Sequence, residues 1–152
     1  MYNEQLTQAL AINGAPLHPA NQGAGAVNTG GIDMQLYKRV LYIIDVGVMT
    51  GGSTVDAKLQ ESSDNATFTD LAGTNVAITQ LLAAGGNNRV VTLECRVDQM
   101  TKRYSRVLVT VGTAASFLCV IPLAGEAVHK PGGAGAGAGG NVAAVVQQQV
   151  VA

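Results

Sequence analysis

Tryptophan is absent from this 152-residue sequence, aromatic residues make up 4% of it and charged residues only 12%. The aromatic shortage weighs against a sugar-binding module, whose sites present exposed rings. Nine Lys+Arg against ten Asp+Glu leave a formal net charge of -1, so no field attracts a polyanion and nucleic acid is not an expected partner. Soluble surfaces usually carry about 25–35% charged residues, so so little charge predicts that part of this surface is covered by a partner. No apolar run approaches the roughly 20 residues that span a bilayer, and no membrane is expected. Two cysteines, Cys95 and Cys119, lie in apolar stretches at a spacing that fits neither a metal-ligand pair nor a dense disulfide framework. They read as free thiols packing as small apolar groups, with a mutual disulfide as the lesser alternative.

The signatures of common chemistry are missing as well. G-x-x-x-x-G-K-[ST], H-E-x-x-H, C-x-x-C and G-x-S-x-G do not occur. Gly135, Gly137 and Gly140 satisfy G-x-G-x-x-G only inside a low-complexity Gly/Ala tract, without the flanking strand, helix and acidic residue of a dinucleotide site. His18 and His129 adjoin Pro-containing margins and read as solvated loop residues. The expectation is therefore a protein that is not an enzyme, with no cofactor, no metal and no small-molecule substrate. The opening MYNEQLTQAL lacks the positive charge and apolar stretch of a secretory leader, so synthesis in a reducing cytoplasm is expected and the Asn65-Ala66-Thr67 acceptor is not used.

What is present is β-type patterning, in a chain that is 47% hydrophobic. Residues 1–31 are polar, small and broken by Pro16, Pro19 and several glycines, which limits any helix to residues 3–12 and predicts an extended N-terminal arm. Residues 32–129 hold a succession of strands. Val55, Ala57 and Leu59 alternate with Thr54, Asp56, Lys58 and Gln60; Val91, Leu93, Cys95 and Val97 alternate with Thr92, Glu94 and Arg96; Val107, Val109 and Val111 form a third inward set. MTGGST, ESSDNAT, AAGGNN and VGTAAS supply the turns. One short helical piece, TQLLAA at 79–84, is too short for a parallel crossover. The fold class predicted is all-β, an antiparallel, jelly-roll-like β-sandwich. Residues 130–152 form a Gly/Ala-rich C-terminal arm that could reach roughly 70 Å when extended.

Two segments, VLYIIDVGV at 40–48 and SFLCVIPL at 116–123, are apolar on both faces, as in strands covered twice. They are the best interface candidates, and Leu17, Val27, Tyr42, Ile44, Leu118 and Val120 are taken as partner-binding. The tail VAAVVQQQVVA adds Val142, Val145, Val146, Val150 and Val151, a β-prone set suited to strand addition on a neighbour's sheet edge; the alternative is that the tail caps an edge of its own domain. Asp45, a carboxylate within an apolar strand, requires a partner, and Arg103 or Arg106 of KRYSR would form a structural ion pair with it.

The succession IIDVGV, KLQESSDNATFTD and RYSRVLVTV resembles small virion proteins of tailed bacteriophages, β-sandwiches of the capsid decoration or cement type. The likeness covers roughly residues 33–123 and leaves both arms outside it. It implies a decoration protein on the outer surface of the virion capsid, made in the host bacterial cytoplasm, with the major capsid protein and itself, as homodimer or homotrimer, for partners. Other readings are a head-fibre, neck or tail component, or a carbohydrate-binding sandwich.

Overall fold

The computed structural model describes residues 6–12 and 14–128. A four-residue helix, α1 (Leu6–Ala9), leads into eleven strands among the described residues. In chain order they are β1 (Leu10–Ile12), β2 (Leu17–Gln22), β3 (Gly25–Asn28), β4 (Ile32–Asp33), β5 (Tyr37–Met49), β6 (Thr54–Ser62), β7 (Thr69–Asp70), β8 (Leu81–Leu82), β9 (Arg89–Arg96), β10 (Tyr104–Gly112) and β11 (Ser116–Ala127). Every pairing is antiparallel. One sheet runs β1-β11-β5-β9 with β2 also on β11; the other runs β3-β10-β6-β7, with β4 on β10 and β8 on β6. The five long strands β5, β6, β9, β10 and β11 alternate between the sheets, which gives the β-sandwich its jelly-roll-like course.

The alternation in the sequence sets the core. Val55, Ala57 and Leu59 of β6 and Val107, Val109 and Val111 of β10 are buried from one sheet, against Val40, Ile44 and Val46 of β5 and Leu118, Val120 and Ala124 of β11 from the other. Apolar burial of this kind is the main favourable term in folding. Two polar links cross the interior. The Tyr42 hydroxyl donates to Ser105 Oγ at 3.0 Å, and Ser53 Oγ lies 2.5 Å from Ser116 Oγ while donating to the Ala114 carbonyl. Burial raises both the Tyr42 phenol and the Cys95 thiol above their ordinary values, so each enters the core neutral.

Each of the four turn sequences contains one residue in the left-handed region: Gly52, Asn65, Asn88 and Thr113. Asn tolerates this conformation better than most side chains, whereas the β-branched Thr113 is strained there. Asp64 holds the ESSDNAT turn by accepting from the Ser62 hydroxyl and from the N–H groups of Ala66 and Thr67, which keeps its carboxyl far below the usual range.

Three local expectations change. The 79–84 segment is extended at β8, and its helix is displaced to α2 (Ala83–Gly86), where two glycines limit it to one turn. Val97 leaves the inward set and is exposed, because β9 ends at Arg96 and a 3-10 turn follows. The N-terminal segment does not continue as helix past Ala9, since Leu10–Ile12 pairs with β11. Beyond it, β2 also lies on β11, while β3 and β4 lie on β10, so this segment supplies edge strands to both sheets.

Candidate interaction surface

The sandwich has one wet outer face and one dry one. On the β10-β6 sheet the outward residues are mostly polar, with Leu108 and Leu82 among them, and many of the polar ones are joined: Lys58 Nζ and Gln60 Nε2 both donate to Asp70, Gln80 Nε2 donates to Asp56, and Arg106 Nε donates to Gln60 Oε1 at 2.9 Å. The Arg106 guanidinium also sits 3.9 Å from the Phe68 ring centre, a cation–π contact that covers the ring. Asp70 is held below the ordinary carboxylate value by the bonds from Gln60 and Lys58.

On the β11-β5 sheet the outward residues are mainly apolar, with the exposed carboxylate of Asp45 among them. Leu41 and Ile43 of β5 stand opposite Leu123 and Ile121 of β11, and Leu10 and Ile12 of β1 continue the surface across Gly125 and Leu123. Phe117 is 50% exposed and Ile121 39%. A bulge opposite Phe117, where the β5–β11 register shifts between Ser116 and Leu118, turns Val48 outward beside them. Arg39 borders the surface at one end, reaching Glu126 at 3.1 Å and Glu94 at 3.5 Å. Between that charged border and Leu10, Leu41 and Leu123 lies a shallow concavity of about 330 Å³. Contiguous exposed apolar area rimmed by charge is the usual mark of an interaction surface.

The doubly apolar strands therefore do form the dry face, but four of the residues assigned to partner binding point the other way. Tyr42, Ile44, Leu118 and Val120 are buried in the core; the outward set is Leu41, Ile43, Phe117 and Ile121. With apolar side chains on both faces, alternation alone does not say which parity points inward. Asp45 carried the missing signal. It shares parity with Leu41 and Ile43, and a lone carboxylate marks the side that meets water. Leu17 and Val27 are half-buried and pack against the chain's own core. Val142, Val145, Val146, Val150 and Val151 lie outside the described residues, as does His129.

The anticipated ion pair is replaced as well. Asp45 is exposed, so it needs no buried partner. Arg103 instead forks onto Asp33, with Nε donating to Oδ1 at 3.0 Å and a second nitrogen to Oδ2. That pairing holds the Asp33 carboxyl below its ordinary value and ties β4 to the start of β10. Arg106 bonds Gln60 and Asn28, not a carboxylate. Cys95 and Cys119 are free thiols. Cys95 faces the core from β9, whereas Cys119 is half-buried on the outer face of β11, two strands away, so the disulfide alternative falls.

Sequence patterning gave no warning of Glu61. Its carboxylate accepts from the Thr101 hydroxyl and from the N–H groups of Thr101 and Lys102. Burial alone would raise this carboxyl, but those bonds outweigh it and hold the group below its ordinary value. The arrangement pins the β9–β10 connection to the end of β6. Among the described residues no group of three His, Cys, Asp or Glu side chains is placed to hold a metal ion.

No family model matches the chain, and no curated protein does. Among solved structures it is similar to the VP2 subviral particle of infectious bursal disease virus, at 11% identity and a TM-score of 0.41 over 75% of this chain and 31% of that one. A structure of the Gx strain of the same virus gives 10% identity and a TM-score of 0.39 over 81% and 32%. The chain thus spans about a third of the length of these proteins. The β-sandwich assignment rests on the strand pairing itself.

Proposed function

We propose that this chain is a structural component of a virion, a decoration or cement protein that lies on the outside of a tailed-bacteriophage capsid and binds its major capsid protein as a homo-oligomer. The observation that carries the reading is the contrast between the two outer faces. A free-standing sandwich gains nothing from keeping Phe117, Ile121, Leu41 and Ile43 on one surface while the other is satisfied by hydrogen bonds and ion pairs. A protein laid flat on a shell needs such a pair of faces, one to be covered and one to meet water. The likeness of the IIDVGV, KLQESSDNATFTD and RYSRVLVTV segments to phage virion proteins supports the same role.

The physical action is bridging. A protein that touches several shell subunits turns each further contact into an intramolecular event, which raises avidity over single-site affinity by about 10²–10⁴ without any new contact. Because the dry face works by apolar burial, ionic screening leaves attachment nearly unchanged. The test is to add the purified protein to shells assembled without it. Saturation at a fixed ratio to the major capsid protein, binding that persists in molar sodium chloride, and a higher rupture temperature of decorated shells are expected. Equal rupture thresholds with and without the protein would sink the cementing role, and release by salt would return attention to Arg39, Arg89, Lys102 and Arg103.

A further inference from the structure

Four long strands carry the outer edges of the two sheets, and three of those edges are covered by short segments. β1 and β2 lie on β11, β3 and β4 on β10, and β7 and β8 on β6. The fourth, β9, pairs with β5 along Arg89–Arg96 and has no strand on its other side among the described residues. An eight-residue edge left open is a template for pairing with any extended chain, and natural sheets cover or interrupt such edges. Beside this edge runs a groove of about 500 Å³, lined on one side by Thr92, Leu93 and Glu94 and on the other by Asn75 and Ile78, which approach from the opposite sheet. One wall of the groove is the edge of β9, on which no strand lies among the described residues, and the other holds the half-buried Ile78, the geometry that accepts an added strand.

We infer that residues 141–152 of this same chain fill that groove, adding to β9 as an antiparallel strand and closing the open side of the sandwich. The sequence NVAAVVQQQVVA supplies enough length for the eight positions of β9. Its even-numbered residues Val142, Ala144, Val146, Val150 and Ala152, interrupted once by Gln148, give one mainly apolar face to turn toward Leu93 and Ile78. The place of departure fits too. β11 ends at Ala127 opposite Tyr37, and β9 ends at Arg96 opposite Arg39, so both strands finish at the same end of the sheet with β5 between them. Two strand spacings, about 10 Å, separate these ends. The glycine-rich residues 129–140 can reach about 40 Å, so the tail arrives at the Arg96 end and runs back toward Arg89. A tether this short gives its own tail an effective concentration near the millimolar range, which favours the chain's own tail over that of a second copy in dilute solution. The groove meets the dry face at Leu41, but this assignment does not rest on the capsid role, because it concerns the edge of β9.

The experiment uses the full-length chain and two variants, Val145→Pro and Val146→Pro, with amide exchange followed across residues 89–96. Successive residues of an added strand alternate in the direction of their N–H, so one of the two prolines must remove a bond to β9. In the unsubstituted protein the β9 amides facing the groove are expected to exchange slowly, to the same degree at micromolar and at tenfold higher concentration. They should exchange about tenfold or more faster in at least one proline variant, with β5 and β10 unaffected. Adding a peptide of residues 141–152 in excess to that variant should restore protection. Protection that grows with concentration alongside an oligomer would overturn the assignment in favour of exchange between copies. Equal exchange at β9 in all three proteins would overturn strand addition altogether and leave the charges of Arg89, Glu94 and Arg96 as the edge's own guard.

Discussion

Replacing Phe117 by serine removes the largest exposed side chain of the dry face without opening the core. Half of the residue's surface already meets water, and its Cβ contacts the outer side of the sheet near Gly47. A phenylalanine presents about 150–250 Å², so covering the exposed half on a shell removes roughly 100 Å² from water. At about 25 cal/mol per Å² this is ~2.5 kcal/mol for each copy, an upper bound because the bound surfaces also lose side-chain freedom. Since each 1.4 kcal/mol is a factor of ten, affinity for a single shell site should fall by up to about sixtyfold. Ile121→Ser, at a less exposed position, should weaken binding in the same direction by less. Thr110→Lys, on the polar outer face beside Asp56, should leave it unchanged. Cosedimentation of each variant with undecorated shells over a concentration series measures the effect, and circular dichroism and thermal melting check that the folds are intact. Wild-type binding by both Phe117→Ser and Ile121→Ser, or a loss from Thr110→Lys as large as theirs, would refute the assignment of the dry face as the attachment surface.

Other consequences concern the sandwich itself. Ile44→Ala, at a fully buried position of β5, should lower unfolding free energy by about 2–5 kcal/mol in chemical denaturation, the range for a deleted core side chain with its cavity. Glu61→Gln should cost about 1–3 kcal/mol, because an amide cannot accept all the bonds that Thr101 and Lys102 donate to the carboxylate. Asp33 and Glu61 have folded values below their unfolded ones, so their contribution is full above the ordinary carboxylate value of about 4 and is lost as pH falls through the lowered values. Thermal melting from pH 7 to pH 2 should show that loss, with a shallower acid limb in Glu61→Gln. Gly30→Ala should loosen the N-terminal strands, since its Cβ would lie 2.7 Å from the Ala15 backbone nitrogen, beside the bond that Gly30 N–H gives to the Ala15 carbonyl. Faster cleavage of residues 14–28 by a dilute protease would register it.

The sequence by itself determined the class of fold and most of the core. Where one face of a strand is polar, as in Thr54–Ser62, period-two alternation names the inward residues without further information, and three of the turns follow from Gly52, Asn65 and Asn88 at positions that need left-handed backbone. Patterning also located the segments that make the dry face, 40–48 and 116–123. It did not orient them, because two apolar faces leave the parity undetermined, and only the packing of β5 and β11 against β6 and β10 sent Tyr42, Ile44, Leu118 and Val120 inward and Phe117 and Ile121 outward. Pairings between charges distant in sequence were likewise decided in three dimensions. Arg103 joins Asp33 because β4 lies beside the start of β10, a neighbourhood set by register and not by composition. The edge of β9, open among the described residues, belongs to the same class of fact. A strand's sequence describes its two faces, but whether its edge has a partner depends on which other strands the fold places beside it.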